Sequence, residues 1–211
     1  MKPGLVSLSR LEFSKISIEI NPDYKENPKE GFFPQIEFDF NNVSFELGTD
    51  LMYPDEEIDD PRHFTLMVRL SVQQESQENG LQIPYSVTIE GFAYLFFKGK
   101  EDGEKRFKIV RGTGYMMLYG AFREYIANFT GRSAYGVWFL PSPNFNSNVD
   151  EDVVGDMEKW EIARSAKNKS TNSSAEDQAS ADVSEVSPAY SDTGKRKGPG
   201  KTKRLSKTEQ Q

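Results

Sequence analysis

The stretch FTLMVRLSV at 64–72 alternates without a break: Phe64, Leu66, Val68, Leu70 and Val72 share one side of an extended chain. A strict period of two matches a half-buried strand and is incompatible with one face of a helix. IEFDFN at 36–41 repeats the pattern, with Ile36, Phe38 and Phe40 against Glu37 and Asp39. YSVTI at 85–89 alternates likewise, and beyond Glu90-Gly91 the phase slips by one to Phe92, Tyr94 and Phe96. A glycine at a phase change predicts a bulge or a strand bend there. VSLSRLEFSKISIEI at 6–20 slips twice, from Val6/Leu8 to Leu11/Phe13 to Ile16/Ile18/Ile20, which predicts a long, kinked first strand. Polar residues on the opposite faces imply a sheet covered on one side only, hence an antiparallel one.

The connections suit such a sheet. QESQENGLQIP at 74–84 carries Asn79-Gly80 and reads as the hairpin loop between the third and fourth strands. NPDYKENPKEGFFP at 21–34 reads as a long polar crossover ending in two aromatics, and LMYPDEEIDDPRH at 51–63 as an acidic, solvated loop. Helical spacing comes late. Met116, Tyr119, Phe122, Arg123, Ile126 and Phe129 step by three and four, which predicts a helix over 115–130 stopped by Gly131. A second helix is expected to start at Asp150, with acids in its first turn, where the dipole favours them. It would place Val153, Met157 and Trp160 inward, with Lys159 and Arg164 near its end. Four antiparallel strands followed by two helices make an α+β domain.

From Ser165 onward the composition changes, with only Val183, Val186 and Leu205 among Leu, Ile, Val and Phe. So little apolar surface cannot offset backbone ordering at roughly 1–2 kcal/mol per residue. The expected organisation is therefore a domain at 1–164 and an unordered polar tail at 165–211. The tail holds nine Lys/Arg against six acids; since the whole chain carries −7, residues 1–164 carry −10. An acidic body argues against nucleic-acid contact there. The basic end, KRKGPGKTKRLSK, reads as a solubilising tail or as a weak contact for RNA, ribosomes or an acidic partner.

Catalytic equipment is sparse. The chain has no cysteine, which excludes disulfides, thiolate metal sites and a Cys nucleophile. His63, the only histidine, stands at a strand entry. No G-x-S-x-G elbow and no G-K-S/T phosphate loop occurs, and the GTG at 112–114 lacks the third glycine of a dinucleotide fingerprint, so it reads as a turn into the helix. DEEIDD at 55–60 lacks the ligand spacing of a calcium loop. No metal, cofactor or catalytic residue is expected. No apolar run is long enough for a signal peptide or a membrane span, which points to a cytoplasmic protein without membrane insertion.

Aromatics remain to be explained. Phe32, Phe33, Tyr135, Trp138, Phe139 and Phe145 fall in connections beside turn residues. There they either pack in the core or line an exposed groove, a use that suits side chains with large contact area and few torsions to freeze.

LYGAFREYI followed by TGRSAYGVWFLPSPNF, at 118–145, resembles the helix start and closing motif of the SecB export chaperones. SRLEFSKISIEINP resembles that family's first strand, and FFPQIEFDF its aromatic-x-Pro entry to the second, so the similarity spans about 1–164. Position by position, Phe32, Pro34, Arg123, Glu124, Leu140, Pro141, Asn144 and Phe145 match, whereas Gly120 and Gly136 stand where the family usually has Pro. The resemblance implies a four-stranded antiparallel sheet with two helices, assembled as a homotetramer (a dimer of dimers). It also implies ATP-independent binding of unfolded polypeptide clients in apolar grooves, for export or for a dedicated client such as an antitoxin. The six connection aromatics would line the groove. Typical members carry acids on the sheet surface for the export ATPase; here Lys15 and Val87 stand at two such positions and Glu19 keeps its acid. Poor docking of that motor is therefore expected. An adaptor reaching nucleic acid through the tail is the reading from a different class.

Overall fold

The computed structural model describes residues 3–25, 43–75 and 82–179, with side chains as far as Lys169. Strands β1 (Val6–Ile20), β2 (Val43–Met52), β3 (His63–Gln74) and β4 (Tyr85–Phe97) are followed by helices α1 (Gly103–Thr130) and α2 (Asn146–Ala179). The strands form one antiparallel sheet in the order β1-β4-β3-β2, leaving β1 and β2 at the edges. This is the expected α+β architecture, a four-stranded antiparallel sheet with two C-terminal helices.

β3 follows its alternation: Phe64, Leu66, Val68, Leu70 and Val72 are all buried. β1 is long and irregular, with register shifts at Leu8/Arg10 and at Phe13/Lys15, where the apolar phase slips. Each extra residue returns the next apolar side chain to the covered face. Leu8, Leu11, Phe13, Ile16 and Ile18 therefore all stand opposite buried-phase positions of β4.

The expected bend at Gly91 is not in β4. Its burial alternates unbroken from Tyr85 to Phe97, so Phe92, Tyr94 and Phe96 lie on the open face of the sheet. Gly91 is needed for close approach instead: a Cβ there would meet Glu12 O at 2.8 Å and the rings of Phe122 and Phe13 at 3.1 and 3.2 Å. The irregularity sits one strand over, on β1.

β2 was not anticipated. The expected strand at 36–41 lies outside the described residues, as do Phe32 and Phe33, whereas VSFELGTDLM pairs with β3 from Val43 to Met52. Val43, Phe45, Leu47, Thr49 and Leu51 make up its covered face, a shorter alternation interrupted by Thr49.

α1 begins at Gly103, well before 115, so Gly112 and Gly114 are inside a helix and form no turn. Gly114 faces the sheet, where a Cβ would stand 2.4 Å from Leu66 Cδ2 and 3.0 Å from Leu95 Cδ1. The helix accepts the propensity cost of glycine to come down onto the sheet. Gly131 does follow the last helical residue, in ordinary right-handed backbone (φ −59°), with its N–H donating to Ala127 O.

α2 starts at Asn146, so Asp150 lies in its second turn. Helical structure also continues to Ala179, through residues read from sequence as the start of an unordered tail. Neither Gly nor Pro occurs between Asp156 and Ser187 to stop it, and Arg164 and Lys167 both pair with Asp59. By contacts the chain divides into Met1–Lys169 and Ser170–Gln211.

The acidic loop at 53–62 is a fastening rather than a solvated excursion. Ile58 is buried, and its carbonyl accepts the Trp160 indole N–H (2.6 Å). Asp60 takes the buried Arg106 guanidinium at 2.6 Å. Glu57 accepts the backbone amides of Arg62 (2.8 Å) and His63 (2.9 Å) and contacts His63 Nδ1 (2.5 Å). Against the upward push of burial, those amides and the imidazole hold the Glu57 carboxyl below its ordinary value.

Candidate ligand grooves

α1 treats its two halves differently. Its first half is enclosed between the sheet and α2, and its guanidinium groups are buried and answered. Arg111 holds Asp156 through Nε (2.5 Å) and Nη2 (2.8 Å), and both side chains are 3% exposed. The Tyr115 hydroxyl donates to Asp152 and lies 3.0 Å from Thr49 Oγ1, tying α1, α2 and β2 together. Burial, reinforced by that bond to Asp152, pushes the Tyr115 phenol up to about 12. It stays protonated and donating through the neutral range.

The second half is only partly covered. Phe122 and Ile126 face the core, but Phe129 is 46% exposed, and Met116, at the middle of the helix, is 65% exposed. Two shallow grooves, of about 620 and 490 Å³, run on either side of a ridge formed by Glu124 and Asn128. Both volumes fall within the ~300–1,000 Å³ of ordinary ligand sites. The first lies against β1, an edge strand among the described residues, between Leu11 and Phe13 on one side and Ala121, Tyr125, Phe129 and Arg132 on the other. Phe13 packs edge-on against Tyr125 (5.5 Å), which stacks on Phe129 (6.5 Å), so the groove has an aromatic wall three rings long. The second lies between α1 and the segment after it, lined by Gly120, Arg123, Ala127, Val137 and Phe139.

The structure separates the aromatics that sequence had grouped. Phe139 is 43% exposed and lines the second groove. Trp138 is 1% exposed against the Tyr85 ring (5.9 Å), with its backbone N–H donated to Thr130 Oγ1; it is a core residue and offers no surface to a ligand. Tyr135 is half-buried, with its hydroxyl donating to Asn21 O (3.0 Å) and its ring against Tyr24 and Tyr85. It ties the turn after α1 to the end of β1. Phe145 is wedged between Tyr115 and Tyr119, at 5.4 Å from each, where the chain enters α2. The connection 131–145 is therefore mostly fastened inward, and Phe139 is the ring it turns outward.

Leu11, Phe13, Tyr125 and Phe129 lie in a strand and a helix, not in the connections where sequence places the candidate site aromatics. Their signal was present in two parts: an excess of apolar residues around the second half of α1, and the phase slips of β1. Lys15 and Glu19 are exposed on the opposite side of the sheet, across from Glu90 and Ser86 of β4, so they belong to neither groove. Val87, by contrast, is wholly buried and presents nothing to the open face. His63 opens β3, exposed and with its ring tilted against Phe96 (4.8 Å). Among the described residues no cluster of acids and histidines could hold a metal ion, and no helix is long and apolar enough to cross a membrane.

No family model and no curated protein sequence matches the chain. Among solved structures it is similar to the Mycobacterium tuberculosis Rv1957 SecB-like chaperone in complex with a ChAD peptide from the Rv1956 HigA1 antitoxin. That similarity has a TM-score of 0.42 and 16% identity, over 65% of this chain and 90% of the other. It is also similar to a Streptococcus agalactiae protein of unknown function, with a TM-score of 0.35 and 12% identity, over 65% and 97% of the two chains.

Proposed function

We propose that this protein is an ATP-independent chaperone that holds apolar segments of non-native polypeptides, without catalysis, in the grooves flanking the second half of α1. The supporting observation is the solvent-open aromatic wall of Phe13, Tyr125 and Phe129, with Phe139 exposed across the ridge. Burying such rings contributes ~25 cal/mol per Å² of apolar surface removed from water, and a folded client keeps its own apolar side chains hidden. Selectivity is then for the unfolded state rather than for a sequence.

Assembly belongs to the same reading. Leu8, Ile16 and Ile20 on the edge strand β1 are 39–48% exposed, and Met116 more so. A second copy that covers them would join grooves end to end, and several weak contacts on one long client add through effective concentration. A homotetramer in the cytosol is the form proposed. Sedimentation at micromolar concentration tests it: a single 24 kDa species counts against assembly.

Light scattering of a denatured client diluted with and without the protein tests the holding activity. Suppression at stoichiometric ratio without nucleotide, lost in Tyr125→Ser/Phe129→Ser, is the expected result. Unchanged scattering at several-fold excess of the protein sinks it. A client pull-down distinguishes general holding from export or from one dedicated client such as an antitoxin. Lys15 at the edge of the open sheet face predicts slow, salt-sensitive docking of the export ATPase, because a rim charge of the wrong sign mainly slows association. Nucleic-acid contact through the tail is checked by electrophoretic shift with and without residues 165–211.

A further inference from the structure

The arginines of α1 are not all answered. Arg106 pairs with Asp60 and Arg111 with Asp156. Arg123, half-buried on the wall of the second groove, donates Nη1 to Ser142 Oγ (3.1 Å) and has no carboxylate within ion-pair distance among the described residues. Its Nε is sealed from solvent with no acceptor. Nη2, on the same edge of the guanidinium, has none among the described residues either. Nε is out of reach of any ligand, whereas Nη2 is not sealed and is the donor that an acceptor from outside can meet.

The surroundings say which kind. An open guanidinium N–H donates a strong, charge-assisted hydrogen bond to a carboxylate oxygen, so Nη2 fits one oxygen of an acid. Beside it, a Cβ at Gly120 would meet nothing within 4 Å, so the helix surface is open there, and Val137 and the exposed Phe139 continue it as an apolar floor. Glu124, exposed on the adjoining ridge, repels a second negative charge.

We propose that Arg123 is an anion subsite of the second groove: it takes the carboxylate of one Asp or Glu in a bound extended segment. The apolar neighbour of that acid lies on Gly120, Val137 and Phe139. This deepens the chaperone reading and rests on it, and it makes the second groove selective for apolar segments with a single acid.

Fluorescence anisotropy with labelled, end-capped apolar peptides tests this, the peptides differing only in Asp, Asn or Lys beside a Phe. The wild type is expected to bind the Asp peptide about tenfold tighter than the Asn peptide, the range of a hydrogen bond to a charged group, with a preference that shrinks as salt rises. The preference disappears in Arg123→Gln and is reduced in Arg123→Lys, which keeps the charge but not the position of the Nη2 donor. Gly120→Met, filling open space on an exposed helix face, weakens all three peptides alike. Circular dichroism of each variant checks the fold, and if Arg123→Gln does not fold, the wild-type ratio and Gly120→Met decide. Equal binding of Asp and Asn peptides by the wild type, an Asp preference surviving in Arg123→Gln, or unchanged binding by Gly120→Met overturns the subsite and leaves the chaperone reading standing. Failure of every peptide to bind overturns both.

Discussion

The two halves of α1 use opposite chemistry for opposite ends. The first half buries charge: Arg106 and Arg111 are each 3% exposed and tie the helix to the acidic loop and to α2. The second half leaves apolar surface open, with the half-buried Tyr125 and the exposed Phe129 lining a shallow groove. A buried ion pair is a poor source of net stability, but losing one partner is expensive, so it specifies a single docking geometry for α2. An exposed aromatic wall does the reverse: it contributes little to folding and is available to a partner. The difference teaches where to look for function on this helix, since the half that is hardest to perturb is the half with nothing left to bind.

The largest effect is expected at the charged junction. Asp156→Asn leaves the buried Arg111 with only the more distant Asp152 carboxylate (3.4 Å) and should cost ~3 kcal/mol in urea unfolding, the low end for a broken buried pair. The double variant Arg111→Met/Asp156→Leu should recover much of that loss. Equal destabilisation of both variants would show that the junction contributes net stability and not specificity alone.

Glycines sharpen the contrast at intermediate size. Gly91→Ala drives a methyl toward Glu12 O at 2.8 Å, which is backbone and cannot swing aside, and should cost ~1–3 kcal/mol. Gly120→Ala meets nothing within 4 Å and should gain up to about 1 kcal/mol from helix propensity. Chemical denaturation of the two variants side by side is the check. A cost at Gly120 would mean that this face is already covered.

In the groove the expected stability change is small and the functional one large. Phe129→Ser should shift stability by no more than ~0.5 kcal/mol, as surface changes do. It should also markedly weaken suppression of client aggregation in the scattering assay. A stability loss approaching that of Asp156→Asn would place Phe129 in the core and end the comparison.

The smallest effect concerns pH. Glu57 has its folded pKa lowered from the ordinary 4.5, so its contribution is present above that value and is lost as pH falls through the lower, folded one. Glu57→Gln should therefore lower stability slightly at neutral pH and flatten the acid limb below about pH 4.5, so that variant and wild type converge in acid. Urea midpoints across the acid range measure it.

Much of the sheet was legible because a half-buried strand has to alternate. β3 and the two slips of β1 could be placed residue by residue from the pattern alone. The slip at Gly91 shows the limit of that reading. Phe92, Tyr94 and Phe96 are apolar and alternate, and nothing local says that they face away from the helices. Only the pairing of β4 with β3, and Phe122 pressing on Gly91, decides the face. The short alternation of β2 was passed over for the same reason, since Thr49 is inward only because Arg111, Tyr115 and Asp152 meet it there.

By itself, the sequence determined the fold class, the absence of cysteine chemistry and nucleotide loops, and a surplus of aromatics near 122–145. These follow from periodicity and composition, which are properties of the chain. It could not say which aromatics are buried, because a ring's exposure depends on what the rest of the fold lays over it. Trp138 and Phe139 are neighbours in sequence and opposite in exposure, at 1% and 43%. The same holds for charge: Arg111 and Arg123 lie on one helix, and only α2, folding back over the first half, gives one its carboxylate and leaves the other without.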